Sequence, residues 1–128
     1  MELVNCTEEY WEFVRKLRID NRVSSGFIKT EFITEEMQKE YMSKHSKHYR
    51  IALVDGVPAG YVGVIDGDIR ICTHPDFQKK GVGKFMLKNC VEIFPNSFGK
   101  VKLDNEVSIK LFESCGFKKK YFLFEYDS

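Results

Sequence analysis

The sequence has no long hydrophobic run: no apolar stretch approaches the roughly 18 consecutive residues that a membrane-spanning helix needs. The opening residues, Met1 to Asn5, also lack the basic segment and the long apolar segment of a secretory signal peptide. These two absences argue against a membrane partner and against export. We therefore expect a cytoplasmic location.

The sequence also lacks an excess of either charge, because 20 Lys and Arg residues and 19 Asp and Glu residues leave a formal net charge of +1. The basic residues cluster only between Lys44 and Arg50 and from Lys118 to Lys120, and such short runs are typical of solvated faces. A nucleic-acid partner needs a stronger positive field, so we expect none.

Metal-binding motifs are missing as well. The four cysteines include no CxxC pair and no spacing typical of a metal site. His45 and His48 have a helix-compatible spacing for a shared metal ion, but no third ligand accompanies them, and a solvated helix end explains them better. We therefore expect small, buried, reduced cysteines and no metal.

What remains is the composition of one globular domain over residues 1–128, because 43% of the residues are hydrophobic and no linker or repeat interrupts the chain. The apolar residues follow helical spacing in some segments and strand patterns in others, and Asp-Gly pairs at 55–56 and 66–67 predict hairpins. We predict an α/β (α+β) fold with a mixed, mostly antiparallel central sheet flanked by about four helices. The predicted element order is β-α-α-β-β-β-α-β-α-β.

The predicted strands cover residues 2–6, 49–54, 60–65, 68–73, 101–103 and 121–126. The predicted helices cover about residues 10–18, 35–45, 81–94 and 108–115. Thr34 resembles the first residue of a partial capping box for the second helix, and Gly116 is typical of a helix terminator.

The central motif is a strand, then Pro75, then Gln78-x-x-Gly81-x-Gly83, then an amphipathic helix. Glycines at a helix start leave backbone N–H groups free to converge on a phosphate, and the helix N-terminus adds partial positive charge. The spacing fits neither a Walker A loop nor a dinucleotide fingerprint. By spacing alone, a phosphate site and a turn that merely starts a helix remain equal alternatives.

Two segments resemble the signatures of the GNAT acetyltransferase superfamily. Thr73 to Gly83 is similar to its Q/R-x-x-G-x-G/A motif, and Asn105 to Phe117 is similar to its second motif, which ends in Gly-Phe. Both stand in the family's order. The resemblance implies an N-acetyltransferase that uses acetyl-CoA and needs no metal.

The same resemblance implies roles for individual residues. The backbone of Ile71, Cys72 and Thr73 would pair with the pantetheine arm, and an N–H of Cys72 or Thr73 would stabilise the oxyanion. Asn105 would face the pantetheine. The remaining residues expected at the cofactor, most of them in the pyrophosphate loop, are Gln78, Lys79, Lys80, Gly81, Val82, Gly83, Lys84 and Phe112.

The proton-transfer groups depart from the family pattern. Phe112 occupies the position that usually holds a general-acid tyrosine, so it has no proton to give to the leaving thiolate. The general base is unassigned, and the candidates are Glu31, Asp66, Asp68 and His74, because loops or strand ends could bring them to the acceptor cleft.

The acceptor is the least determined feature. Val14 to Arg18 and the segment after Glu31 weakly resemble amino-sugar N-acetyltransferases, which favours a small-molecule amine. A protein N-terminal or lysine acetyltransferase and a catalytically weak CoA-binding module remain alternatives. The chain after Gly116-Phe117 has room for one strand only, so a homodimer that pairs through the aromatic residues 121–126 is a further hypothesis.

Overall fold

The structure is a computed structural model that describes residues 1–28 and 32–127. Four strands and four α-helices form its framework. The strands are β1 (Glu2–Asn5), β2 (Tyr49–Val54), β3 (Val57–Ile65) and β4 (Asp68–Thr73). The helices are α1 (Trp11–Arg18), α2 (Glu35–His45), α3 (Val82–Ile93) and α4 (Glu106–Ser114).

The sheet has the order β1-β2-β3-β4, and each neighbouring pair is antiparallel. Both predicted hairpins are present. Asp55 and Gly56 have φ values of 51° and 79°, and Asp66 and Gly67 have values of 51° and 81°. Two consecutive residues with positive φ give the turn whose twist matches paired strands, which explains why Asp-Gly is found at both positions.

Local signals also set the helix ends. The Thr34 side chain accepts a hydrogen bond from the Met37 N–H and so caps α2. Gly81, with a φ of 82°, precedes the first residue of α3, and Gly116, with a φ of 90°, follows the end of α4. The helix predictions are therefore confirmed within a few residues at each end.

The helices cover the two faces of the sheet in pairs. Val14 and Leu17 of α1 and Met42 of α2 pack with Ile51 in one core cluster. Met86 of α3 and Phe112 of α4 pack with Ala52, the next residue of β2, in the other. Because successive strand residues point to opposite faces, the sheet separates two hydrophobic cores.

Two predicted strands are absent. Phe98 makes a single parallel bridge to Asp68, through hydrogen bonds of 2.8 Å from the Ile69 N–H to the Phe98 carbonyl and from the Phe98 N–H to the Gly67 carbonyl. The chain then leaves β4, and residues 101–103 run into a turn in which Leu103 is 88% exposed. The prediction of a buried strand there was wrong because the chain diverges from the outer edge of β4 after Phe98 and does not pair with it.

The aromatic segment at residues 121–126 is not a strand either. Within the described part of the chain it has no regular secondary structure, and its large apolar side chains are between 69% and 94% exposed. Aromatic residues favour strands only where a partner strand and a packed face are present. The central prediction, an α/β fold with a mostly antiparallel sheet and four helices, is confirmed.

Candidate acetyl-CoA cleft and acceptor cavity

The outer edge of β4 presents backbone groups that β3 does not use. The Ile69 N–H points away from β3, because it bonds to Phe98. The His74 N–H points towards β3 and donates to the Ala59 carbonyl at 2.7 Å. Since alternate residues of an edge strand point to the same side, the N–H and C=O groups of Ile71 and Thr73 face outwards with those of Ile69.

The edge is open because the neighbouring segment diverges from it. After Phe98 the chain turns away, and α4 begins only at Glu106. A cleft therefore separates the second half of β4 from residues 99–105. An extended molecule that lies in this cleft could add to the sheet as another strand does. The outward-facing residues are Ile71 and Thr73, whereas the backbone of Cys72 faces β3.

The start of α3 stands beside the end of β4. Gly83 allows a close approach here, because a Cβ on this residue would lie 3.2 Å from Leu111 Cδ2 of α4 and 3.5 Å from Thr73 Oγ1. The first turn of α3 is thereby held next to the open edge. Its N–H groups have no acceptor within the helix, so they are available to an anion.

The loop before α3 has the geometry of an anion cradle. Lys79 and Gly81 both adopt positive φ values, of 64° and 82°. This conformation turns the backbone sharply before the helix begins, and the residues around it are exposed to solvent, namely Gln78, Lys79, Lys80, Gly81 and Lys84. Val82 is the exception, since its side chain is buried in the core under α3. The exposed cations and the helix end together favour a polyanionic ligand.

Asn105 lies at the junction of the cleft and the chain around Gly26. Its Oδ1 accepts a hydrogen bond from the Ser108 N–H at 3.1 Å, which caps α4, and its Nδ2 donates to the Gly26 carbonyl at 3.4 Å. The asparagine thus ties α4 to a loop more than 70 positions earlier in the sequence. It lines the cavity described below.

Phe112 is buried in α4 at the boundary between the cleft and this cavity. Its ring packs edge-on against Phe117, with centroids 5.0 Å apart. A Cβ on Gly99 would overlap the Phe112 ring, so Gly99 makes room for it. The ring also lines the cavity, so a side chain at this position borders both the cleft and the cavity.

A cavity of about 440 Å³ extends from the cleft to Arg18 at the end of α1. Its lining combines tyrosine rings with charged side chains from distant parts of the sequence. The residues that matter for its chemistry are Arg18, Tyr49, Tyr61, Asp68, Arg70 and Glu125. Such a partly apolar concavity with a few polar groups is typical of a small-molecule site.

The two tyrosines of the cavity are protonated donors. Burial raises the pKa of Tyr49 and of Tyr61 well above the ordinary value. Tyr49 Oη lies 2.8 Å from Tyr41 Oη, and this hydrogen bond raises the pKa of Tyr49 further. Sequence reasoning missed both tyrosines as site residues, because a tyrosine in a strand usually indicates only a packed core.

The structure separates the proposed general bases. Asp68 lines the cavity, with its Oδ2 3.6 Å from Arg70 Nε and 3.8 Å from Lys100 Nζ. Asp66 lies in the hairpin turn before β4 and is not part of the cavity lining. Glu31 lies outside the described residues.

His74 makes local contacts at the end of β4. Its Nδ1 accepts a hydrogen bond from the Asp76 N–H at 3.1 Å, and its ring stacks on Phe13 with centroids 6.3 Å apart. His74 is also not among the residues that line the cavity.

The cysteines are free thiols, and three of them are buried as expected. Burial raises the pKa of Cys72, on β4 beside the cleft, to about 12. Such a thiol stays protonated at neutral pH and is therefore a poor nucleophile. Among residues 1–28 and 32–127, no cluster of three metal-binding side chains occurs, and no helix is long and apolar enough to cross a bilayer.

Comparison with known proteins agrees with this geometry. The sequence model of the GNAT acetyltransferase family matches residues 8–117. This span includes the edge strand, the loop before α3 and all of α4. No curated protein matches.

Solved structures share the fold at low sequence identity. Spermidine N-acetyltransferase from Vibrio cholerae, solved with CoA and spermine, superposes with a TM-score of 0.82 at 18% identity, over 98% of this chain and 85% of that one. Ribosomal-protein-alanine N-acetyltransferase from Brucella melitensis gives a TM-score of 0.80 at 14% identity, over 92% and 85%.

A third similar structure is the aminoglycoside N-acetyltransferase AAC(6')-Iy in complex with a bisubstrate analogue. Its TM-score is 0.72 at 17% identity, over 99% of this chain and 97% of that one. These three proteins act on a polyamine, a protein and an aminoglycoside, so similarity of fold does not select among acceptor classes.

Proposed function

The chain belongs to the GNAT acetyltransferase family, and from that premise we propose that it transfers the acetyl group of acetyl-CoA to a primary amine by direct attack in a ternary complex. One observation carries this proposal: the open edge of β4 runs from the start of α3 to the cavity that Arg18 of α1 borders. Donor and acceptor sites of this kind must meet at a single point, and the cleft and the cavity share such a junction at Ile71 and Phe112.

The residues of the cleft fit acetyl-CoA. In our proposal, the outward-facing groups of Ile71 and Thr73 hold the pantetheine arm, and the N–H groups of the loop and first turn between Lys79 and Lys84 hold the pyrophosphate. Of the two N–H groups proposed to stabilise the oxyanion, the one on Thr73 points into the cleft, whereas that of Cys72 points towards β3. A donor of this kind is worth about 3 kcal/mol in comparable sites.

Proton removal from the acceptor is the step that needs a side chain or water. A primary amine with a pKa of about 10 is mostly charged at neutral pH and must lose a proton before it attacks. Asp68 is the one described candidate base that lines the cavity, and we propose that it accepts this proton directly or through water.

Proton delivery to the leaving group needs no side chain in this proposal. A thiolate is a tolerable leaving group at neutral pH, because thiol pKa values lie near about 8.5. Phe112 keeps water away from one side of the junction, and solvent supplies the last proton. The alternative, a catalytically weak CoA-binding module, is also based on Phe112, because this side chain cannot act as a general acid.

The acceptor in our proposal is a small molecule. The cavity is concave and is bordered by side chains from α1, the chain around Phe27, and the segment containing Leu123 and Glu125. A protein acetyltransferase would need an open groove beside the thioester, so the concave shape favours a compact amine.

We further propose that the segment with residues 121–126 pairs with a second copy of the chain. Its exposed aromatic side chains support this proposal, because large contiguous apolar surfaces on monomers are uncommon. Light scattering in solution gives the mass of the particle and hence the number of chains.

The test of the acetyl-transfer function uses two independent measurements. Calorimetry measures CoA binding, and thiol release from acetyl-CoA measures turnover with a panel of polyamines, amino sugars, amino acids and peptides. We expect CoA binding together with amine-dependent thiol release. Tight CoA binding without turnover on any amine would favour the CoA-binding module, and no CoA binding would contradict the proposed site.

A further inference from the structure

The segment after α4 has two different sides. Leu123 and Glu125, two positions apart, line the cavity. The residues that alternate with them are not part of the described lining, namely Phe122, Phe124 and Tyr126. Such alternation is typical of an extended chain. One side of the segment therefore borders the cavity, and the other side presents aromatic rings that are between 82% and 94% exposed.

The backbone of this segment is unpaired. Within residues 1–28 and 32–127, the last main-chain hydrogen bond of the chain is the one from the Phe117 N–H to the Phe112 carbonyl, at 3.0 Å. Residues 118–127 make no main-chain hydrogen bond to another described residue and belong to no strand. A chain whose N–H and C=O groups are unpaired is a template for another strand.

The charges at the two ends of the segment are complementary. Three lysines, at positions 118–120, precede the aromatic residues, and Glu125 and Asp127 stand at the other end. Two copies that run antiparallel place the lysines of each beside the carboxylates of the other, whereas a parallel arrangement would place lysines beside lysines. The pattern therefore favours a second copy of this chain as the occupant of the unpaired segment.

The two sides also limit the register of such a pair. Directly opposite residues of an antiparallel pair point to the same side, and a slip by one residue would turn the aromatic side of one copy towards the cavity side of the other. The two-fold axis must therefore pass through a residue. An axis at Leu123 pairs Phe122 of each copy with Phe124 of the other. The same axis pairs Lys119 with Asp127.

The neighbouring axes give poorer pairs. An axis one residue later would place Glu125 opposite Leu123. An axis one residue earlier would place Asp127 opposite Phe117, whose ring packs against Phe112 with centroids 5.0 Å apart. Each of these registers brings a carboxylate against an apolar side chain, which costs free energy. The axis at Leu123 avoids both.

From this pattern we propose that residues 119–127 of two chains pair antiparallel about Leu123 and that the partner completes the acceptor cavity of each chain. In this register Tyr121 of the partner subunit stands opposite Glu125, on the side that lines the cavity. Its hydroxyl can donate to the carboxylate and so hold Glu125 at the border of the cavity. The inference rests on the proposed acetyl transfer and on the proposed pairing, and it adds the register and the contribution of the partner to the acceptor site.

A shared cavity makes acceptor binding depend on the assembly. A single chain keeps the edge of β4 and the start of α3, so its affinity for CoA should not change when the dimer dissociates. The wall around Leu123 and Glu125 loses its support in the single chain, so the KM for the amine should rise. The two ligands therefore respond differently to dilution.

Disulfide trapping tests the register. Leu123→Cys is made in a Cys115→Ser background, which removes the one native cysteine that is not buried. Directly opposite Cβ atoms lie about 5 Å apart, close enough for a disulfide, whereas diagonal neighbours are about 7–8 Å apart. We expect Leu123→Cys to form a covalent dimer about tenfold faster than Phe122→Cys or Phe124→Cys in the same background.

A charge exchange tests the pairing without a new thiol. Lys119→Glu places like charges opposite each other twice in the dimer and should raise the dimer dissociation constant about tenfold, as should Asp127→Lys. The double variant should restore the constant. Lys118→Glu is the matched control, because it changes the net charge equally but lies on the other side of the strand, and its effect should stay below about twofold. Light scattering over a series of chain concentrations measures each constant.

Two measurements test the contribution to the cavity. Thiol release above and below the dissociation constant should show a KM for the amine about threefold or more lower in the dimer, with unchanged CoA affinity by calorimetry, and Tyr121→Phe should raise this KM without a matching loss of kcat. The carbon chemical shift of the Glu125 carboxyl reports the contact without turnover. It should differ between the dimer and the dissociated Lys119→Glu variant, and Tyr121→Phe should remove most of this difference.

The outcomes separate this inference from the proposed function. If no amine releases thiol but trapping, charge exchange and the Glu125 shift behave as expected, the acetyl-transfer proposal fails and the paired cavity stands. A chain that stays monomeric, equal trapping at all three positions, or a KM and a Glu125 shift that ignore the assembly would refute the inference. Monomers that bind vesicles of phosphatidylserine would assign the lysines and aromatic rings to a membrane surface instead.

Discussion

The proposed donor cleft and the proposed acceptor cavity are built in different ways, although they meet at the same strand. The cleft offers backbone groups: the outer edge of β4 and the first turn of α3, which a left-handed glycine introduces. The cavity offers side chains from α1, β2, β3 and β4 and from the chain beyond α4. Backbone groups are therefore the main binding groups of the cleft, and side chains are the main binding groups of the cavity.

This difference has a consequence for specificity. Backbone N–H groups recognise the shape and charge of a phosphate whatever the neighbouring side chains are, so a donor site of this kind tolerates sequence change. A cavity lined by side chains changes its ligand with each substitution.

The largest expected effect tests the donor side. Gly81→Glu places a carboxylate beside the proposed pyrophosphate position, and we expect CoA binding to weaken by about 100-fold or more, because unit charges about 4 Å apart repel by a few kcal/mol near a protein surface. Calorimetry with CoA measures the change.

Gly56→Glu is the control for this variant. Gly56 has almost the same φ, 79° against 82°, and lies in an exposed hairpin turn, where a Cβ on this residue would meet no atom within 4 Å. Both variants thus carry the same backbone strain, and only Gly81→Glu should lose CoA. Equal CoA affinity in the two proteins would contradict the pyrophosphate assignment.

The next effect tests the acceptor side. A Cβ on Gly63 would lie 2.5 Å from the Tyr49 ring, so Gly63→Ala should push this ring out of place. We expect a loss of about 1–3 kcal/mol in the free energy of unfolding, as for other overpacked cores, and a raised KM for the amine with unchanged CoA affinity. Urea unfolding, turnover and calorimetry measure the three quantities. A change in CoA affinity as large as the change in KM would show that the proposed donor cleft and the proposed acceptor cavity do not bind their ligands independently.

A smaller effect is expected at the junction. Phe112→Tyr supplies the hydroxyl that this position lacks, and we expect kcat to stay the same or to rise by up to about tenfold, since general acids contribute modestly when the leaving group is already good. The measurement is the pH dependence of kcat. A large loss of kcat would indicate that the reaction requires an apolar surface at this position.

The smallest effect concerns the loop after α1, outside the lining of the cavity. Hydrogen bonds from the side chain and backbone of Arg22 lower the pKa of Asp20 to about 2. A lowered pKa in the folded state stabilises the fold above the ordinary carboxyl pKa of about 4, and this contribution disappears as the pH falls towards about 2. Arg22→Gln should raise the pKa of Asp20 and reduce the dependence of stability on pH between these values. NMR titration of the carboxyl group checks the shift, and an unchanged pKa would contradict the pairing.

The sequence predicted the elements with local signals well. Asp-Gly pairs identified both hairpins, Thr34 identified the start of α2, and Gly81 and Gly116 marked the limits of α3 and α4. Each of these residues acts through its own backbone conformation or through a hydrogen bond to a near neighbour, so a short stretch of sequence contains the necessary information.

The sequence failed where pairing depends on distant chain segments. Residues 101–103 and 121–126 have the composition of strands, but neither pairs with the outer edge of β4, which within the described part of the chain is bridged only between Asp68 and Phe98. The sequence also contains no sign that His74 Nδ1 accepts a hydrogen bond from the Asp76 N–H, which only the structure shows.

The sequence by itself determined the family, the order of the main elements and the loop proposed to bind the donor, because glycines and helix starts encode backbone geometry locally. Only the tertiary structure decided that the chain leaves β4 after Phe98 and that Arg18, Tyr61 and Arg70 share one cavity. The physical reason is that a backbone conformation is set by a few consecutive residues, whereas the electrostatics of a cavity depend on side chains that folding alone brings together.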